Sequence, residues 1–192
     1  MRHDIELTGH AFRLRPIELS DAQSIVDLRT SQPERGQFLH PISDDVSLQE
    51  AYLTRYFDIP EDYYFVVERL KTGKPEGLIS IYDINNRMGE WGRWILSDRS
   101  LAAVESCWLV YKVGFECLNL QSIYCRTIAK NEPVVSFHDS CGIPRYNLLE
   151  NFFTLGAEKY DAVEHRINIE QWNSIQPVLD SKSQQIAKRL NR

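Results

Sequence analysis

Apolar and basic residues alternate from Phe12 to Pro16 (Phe-Arg-Leu-Arg-Pro), the two-residue period of a strand with one buried face. Ser20-Asp-Ala follows as a helix cap, and Ile25 and Leu28 carry the helical run behind it. Ser47 opens a second helix through Leu48, Ala51, Tyr52 and Tyr56, which must end before Pro60. Three strand-like runs come next, over 63–68, 77–82 and 91–96. They are separated by the turn-forming stretches 71–75 (Lys-Thr-Gly-Lys-Pro) and 85–89 (Asn-Asn-Arg-Met-Gly). Apolar residues at 101, 104, 108, 111, 115 and 118 then fit one face of a helix from about Leu101 to Leu118.

A strand is predicted over 122–129, a short helix over 132–140, further strands near 146–154 and 160–169, and a helical tail from about 170. In the tail, Trp172, Ile175, Leu179, Ile186 and Leu190 make an amphipathic pattern broken around Pro177. Such a tail packs on its own domain or on a symmetry-related copy, so a homodimer is among the expected assemblies. The order of elements implies an α/β (α+β mixed) fold, a mixed sheet with helices on both faces.

The stretch Asn131 to Ile143 carries the most chemistry. Asn131 ends the apolar run and can either cap the next helix or offer its amide to a ligand. Pro133 stands where a first helical turn tolerates a missing N–H, and Gly142 supplies a left-handed stop before the strand that begins near Ile143.

Length, charge and cysteine content narrow the picture. With 192 residues and 43% hydrophobic residues, the chain suits one domain with one core. Its net charge of −5 argues against a general nucleic-acid binder. No run reaches membrane-spanning length and the segment from Met1 to Glu6 lacks an apolar signal region, so the expected location is the cytoplasm. Cysteines 107, 117, 125 and 141 show no paired metal spacing and are expected reduced and mostly buried, with Cys107 and Cys117 near the apolar face of the long helix. The five histidines are scattered without ligand spacing, so no metal site is expected. Tyr63, Tyr64, Tyr82, Trp91 and Trp94 gather on the central strands, where some are core and others can wall a pocket.

Four local segments together resemble the GNAT superfamily of acetyl-CoA-dependent N-acetyltransferases: Leu14-Arg-Pro with Asp21-Ala22, Glu90-Trp-Gly-Arg-Trp-Ile95, Phe115 to Leu120, and Asn131 to Ile143. The resemblance runs from roughly Phe12 to Ile169. It implies a GNAT-like, mostly antiparallel sheet and one acetyltransferase-like domain over 1–192, with direct acyl transfer from acetyl-CoA, as co-substrate, to a primary amine. It further implies that the strand containing Trp94, Ile95 and Leu96 offers backbone groups to the pantetheine arm. The following turn and helix start, with Arg99, Ser100, Ala102 and Ala103, would hold the pyrophosphate, and Asn131 would join the coenzyme site. A helix N-terminus suits an anion because its first N–H groups lack partners. The family places glycines in this turn, and here Arg99 and Leu101 stand in those positions. Arg99 can compensate with a charge-assisted phosphate contact.

Direct transfer needs an acceptor for the amine proton and a donor near the departing sulfur. His138, seven residues after Asn131, stands where many family members carry tyrosine, and it is the candidate donor. An unperturbed histidine would be about one-quarter protonated at pH 7. A half-buried structural histidine is the alternative. Glu90 is the candidate acceptor of the amine proton, with Asp83 and His40 as competitors. The layout of Leu28-Arg29, the loop reaching His40 and the segment Asp62 to Phe65 is similar to enzymes acting on nucleotide-linked amino sugars. That likeness makes Arg29, His40, Tyr82 and Asp83 candidates for acceptor binding. The Glu-x-Gly-x-Trp strand is similar to enzymes that acetylate peptide N-termini, particularly of ribosomal proteins. The glycine-poor turn also leaves open a non-catalytic acyl-CoA-binding or interaction module.

Overall fold

The computed structural model describes residues 2–31 and 38–190. Positions 32–37, inside the loop expected between Arg29 and His40, lie outside the described residues. Among the described residues, eight strands form one sheet in the order β1-β2-β3-β4-β5-β6-β8-β7. They are β1 (Leu7–Thr8), β2 (Phe12–Pro16), β3 (Tyr63–Arg69), β4 (Lys74–Asn85), β5 (Met88–Leu96), β6 (Ser122–Ile128), β7 (Arg145–Leu155) and β8 (Glu158–Asn168). The helices among the described residues are α1 (Ala22–Thr30), α2 (Val46–Tyr56), α3 (Ala103–Lys112), α4 (Glu132–Ser140) and α5 (Ile169–Leu190). Every neighbouring pair of strands is antiparallel except β5 and β6.

Strand alternation divides the core between the two faces. Phe65, Val67, Ile79, Ile81 and Trp91 pack with Trp108 and Tyr111 of α3 and with Trp172 of α5. Tyr64, Val66 and Leu78, one residue out of phase, and Ile95, beyond an irregularity in β5, pack with Ile25 of α1 and with Leu53 and Tyr56 of α2. The expected mixed sheet with helices on both faces is the fold observed.

Element boundaries moved where local chemistry was stronger than periodicity. The long helix starts at Ala103, and Leu101 stays outside it and exposed, because Ser100 Oγ accepts from the Ala102 N–H (3.2 Å) and donates to Glu76 (2.7 Å), which holds the turn before the helix. Its last residues, Val113–Cys117, widen into a π turn, which swings Cys117 to the surface; the expectation that Cys117 lies near the apolar face is corrected. α5 runs unbroken through Pro177, since Trp172 on one side and Leu179, Ser183 and Ala187 on the other are all buried. Packing against α3 thus offsets the hydrogen bond that Pro177 cannot donate.

Candidate active site

Parallel pairing between β5 and β6 covers only Met88 with Ser122, Gly89 with Ile123 and Glu90 with Tyr124. Beyond Glu90 the strands part: 91–96 stay hydrogen-bonded to β4, and 125–128 stay bonded to β8. The facing backbone edges of two central strands are therefore not joined to each other, and a cleft of about 530 Å³ opens there. Its walls come from both parted strands and from α1, α2, α4 and β7. An extended amide-bearing chain fits such edges because unpaired N–H and C=O groups beside it are the partners that it needs.

Glu90 sits at the point of parting and lines the cleft, with 7% of its surface exposed. Arg126 Nη1 donates to its Oε2 (2.9 Å), while Arg126 Nε donates to Glu164 (3.0 Å). The guanidinium lies over the rings of Tyr124 and Phe152, 4.6 and 4.9 Å from their centroids. Burial pushes the Glu90 carboxyl up to about 7, because desolvation and the nearby Asp83 and Glu164 charges outweigh Arg126. A carboxyl at that value is poised to take a proton near neutrality.

Arg93 follows on β5 in the left-handed region (φ 49°), where the pairing of Leu78 with Ile95 and of Ser80 with Gly92 makes β5 irregular. The irregularity turns the guanidinium into the cleft. There it donates through both Nη atoms to buried Asp62 (2.6 and 2.7 Å) and lies over Tyr82 and Tyr64, 4.6 and 5.6 Å from their centroids. The Tyr82 hydroxyl reaches across Gly92, whose missing Cβ leaves the space it occupies. Burial raises the Tyr82 phenol above its ordinary value, so it stays protonated at neutral pH.

Asn131 begins α4 with its side chain making no capping bond; backbone groups alone turn the chain, the Asn131 carbonyl accepting from the Val134 and Val135 N–H groups (3.1 Å each). Asn131 lines the cleft. One helical face further on, His138 is 1% exposed, packed edgewise on Trp91 with Nε2 3.7 Å from Cys125 Sγ. Burial, aided by His165, lowers its pKa to about 3. The imidazole is therefore neutral at pH 7, unlike the partly protonated ring expected for an unperturbed histidine.

Of the residues expected to hold the coenzyme, Trp94 and Asn131 line the cleft. Ile95, Leu96, Arg99, Ser100 and Ala102 continue from β5 into the turn before α3, and Ala103 opens that helix; all six lie outside the cleft walls. Arg99 has φ 58°, a conformation that favours glycine, and its side chain is 92% exposed beside Asp98. Of the acceptor-side candidates, Arg29, His40 and Tyr82 line the cleft, and Arg29 donates to the His40 carbonyl. Asp83 is exposed on a left-handed bend (φ 50°) outside the walls, and its charge acts on Glu90 and Tyr82.

Arg93, Asp62 and Arg126 were not singled out from the sequence. Arg93 lies inside the Glu90–Ile95 segment already noted, and an arginine between two tryptophans on a buried strand is the signal that could have found it. Arg126 alternates with buried Cys125 and Thr127, yet its partners lie 36 and 38 residues away.

The fold recurs in solved acetyltransferases. A GCN5-related N-acetyltransferase from Brucella melitensis is similar at a TM-score of 0.82 and 16% identity, covering 94% of this chain and 86% of that one. Apo FdhC, a nucleotide-linked sugar GNAT, gives 0.72 and 26% identity over 90% and 94% of the two chains. A variant of the spermidine N-acetyltransferase SpeG from Vibrio cholerae gives 0.71 and 19% over 84% and 96%. No curated protein matches the chain by sequence. A model of the acetyltransferase (GNAT) domain matches residues 12–143, over two thirds of the chain. With the parted central strands and the helix that starts at Glu132 beside them, that match establishes that this chain belongs to the GNAT family of acetyltransferases.

Proposed function

We propose that this GNAT enzyme transfers an acetyl group from acetyl-CoA to the amine of a nucleotide-linked amino sugar. The observation that carries the acceptor class is the sign of the cleft's charged side chains. Among the described residues, the guanidinium groups of Arg29, Arg93 and Arg126 line it with the imidazole of His40, and Glu90 is the one carboxylate beside them. Arg93 and Arg126 are balanced from behind by Asp62 and Glu164, whereas Arg29 donates to the backbone carbonyl of His40. A diphosphate suits Arg29 and His40, and a sugar ring suits the faces of Tyr64 and Tyr82. A polyamine would meet like charge on the same walls.

In this reading the open edges of β5 and β6, with Trp94, Ile95 and Leu96, hold the pantetheine arm. Asn131 binds one of its amides, and Arg99 with the start of α3 meets the pyrophosphate. Glu90 takes the proton of the acceptor amine, and the free amine attacks the thioester carbon. The C–N bond forms, the C–S bond breaks, and the electron pair leaves on sulfur. His138, being neutral, assists by donating an Nε2–H hydrogen bond to the developing thiolate rather than by surrendering a proton; the second proton, shed by nitrogen as the C–S bond breaks, passes to solvent, and solvent protonates the thiolate on release.

Calorimetry with uridine or thymidine diphosphate tests the acceptor end independently of turnover. Saturable binding that persists in the presence of acetyl-CoA and weakens with salt is expected. Absence of binding to the acetyl-CoA-loaded enzyme would sink the nucleotide-linked acceptor.

A further inference from the structure

The Nδ1 atoms of His138 and His165 are both buried and without a hydrogen-bond partner. Buried polar atoms of this kind need a partner, and two on adjacent rings point to a shared one. The ring centroids are 5.0 Å apart, tilted by 48°. His165, fully buried on β8, directs Nε2 to Asp139 Oδ1 at 3.1 Å, and Asp139 also accepts from Arg145 through both carboxylate oxygens (3.0 and 2.6 Å). Asp139 is ionised at neutral pH, its carboxyl held below the ordinary carboxylate range by Arg145, and an ionised carboxylate can only accept. His165 must then carry its proton on Nε2, which leaves its Nδ1 a lone pair.

Two ring nitrogens thus face a common problem in which one at least is an acceptor. We propose that a buried water bridges the two Nδ1 atoms, donating one hydrogen to each, and that His138 in the chain Asp139–His165–water–His138 is held as the Nε2–H tautomer with its N–H on the cleft side. A water needs at least two polar partners to stay in a buried site, and the two nitrogens supply them. In this arrangement His138 Nε2–H donates weakly to Cys125 Sγ, 3.7 Å away, while the cleft is empty of thiolate. Asp139 and His165 are positioning residues: they touch no substrate and act by holding the donor atom of His138 in one tautomer. The opposite tautomer would present a lone pair to the departing thiolate and repel it.

This inference rests on His138 as the hydrogen-bond donor of the proposed reaction, and its test separates the two. Nitrogen-15 NMR of the imidazoles in the intact protein at pH 7 is expected to show both rings protonated at Nε2 and bare at Nδ1. In Asp139→Asn, His165 should gain an Nδ1–H population and His138 should follow. Turnover with acetyl-CoA and a nucleotide-linked amino sugar should fall about tenfold, the size of one lost hydrogen bond, with the KM for acetyl-CoA within about twofold. Arg145→Ala, which removes the exposed partner of Asp139, should leave the tautomers in place. His165→Phe should reproduce the loss, and if that variant does not fold, Asp139→Asn carries the comparison. A wild-type His138 protonated at Nδ1, or an Asp139→Asn variant with unaltered tautomers, overturns the chain. If His138→Phe keeps full turnover, the donor role falls, and the NMR result still decides the chain by itself.

Discussion

Arg126 Nη1 lies 2.9 Å from Glu90 Oε2 at the last paired position between β5 and β6, and the same guanidinium is shared with Glu164. One cation therefore serves two buried carboxylates, and burial prevails at Glu90, holding its pKa near 7. The rate of transfer should fall below about pH 7 as Glu90 takes up a proton. Glu90→Gln should lower kcat by roughly a hundredfold or more and flatten that acidic limb. A pH–rate profile of the variant that superimposes on the wild type in shape would remove Glu90 as the base.

The same pKa has a sign for stability. The folded value near 7 lies above the ordinary 4.5, so the folded state binds the proton more tightly. The stabilising contribution of the protonated form is full below about pH 4.5 and is lost as pH rises through 7. Glu90→Gln should therefore raise Tm by a few degrees at pH 8 and change it little at pH 4.5. Thermal melts at the two pH values check this, and a gain confined to the acid side would contradict it.

Arg29 offers a test of the acceptor that leaves the base untouched. It is half-buried at the C-terminal end of α1 and lines the cleft. Arg29→Ala should raise the KM for a phosphate-bearing acceptor by about tenfold, the loss of one charge-assisted bond, with the KM for acetyl-CoA unchanged. Equal effects on both constants would place Arg29 in general folding rather than in acceptor binding.

Arg99 separates strain from contact. Its backbone sits at φ 58° while its side chain projects almost wholly into solvent. Arg99→Gly should raise Tm slightly, by about 1–3 °C, because a left-handed residue with a Cβ costs on the order of 1 kcal/mol. If the guanidinium reaches the pyrophosphate, the same variant should bind acetyl-CoA several-fold more weakly, most clearly at low salt. Calorimetry at two ionic strengths reads the difference, and unaltered affinity at both would exclude that contact.

The strands and helices were legible because burial alternates along β2, because β3 to β6 are continuous apolar runs bounded by turn residues, and because the face of α3 repeats at helical spacing. The short helix α4 was marked by Asn131, Pro133 and Gly142, and Gly142 does adopt a left-handed φ of 78°. The cleft itself was less legible. Where β5 leaves β6 is a matter of register between segments more than 30 residues apart, and nothing local to Trp91 or Cys125 announces it. Arg93 enters the cleft only because β5 is irregular beside Ile79, and it stays there because Asp62, 31 residues earlier, is buried beneath it. The neutrality of His138 was likewise invisible, since it depends on Trp91, Trp94, Phe137 and His165 closing around the ring. Propensity reads neighbours along the chain, whereas these properties belong to neighbours across the sheet.

Cys117 differs from the other cysteines in being exposed, while Cys107, Cys125 and Cys141 are buried. One thiol should react readily with an aromatic disulfide reagent in the native protein, and Cys117→Ser should remove that reaction without changing turnover. A count of two or more fast thiols would mean that the core around Cys125 opens more readily than its packing implies.

The most direct measurement follows thiol release from acetyl-CoA with a nucleotide-linked amino sugar, spermidine and a short peptide bearing a free N-terminus as competing acceptors. The cation-lined cleft and Glu90 predict the highest kcat/KM for the amino sugar, a rate lost in Glu90→Gln, and a preference that shrinks as salt rises. Faster transfer to spermidine or to the peptide would contradict the account.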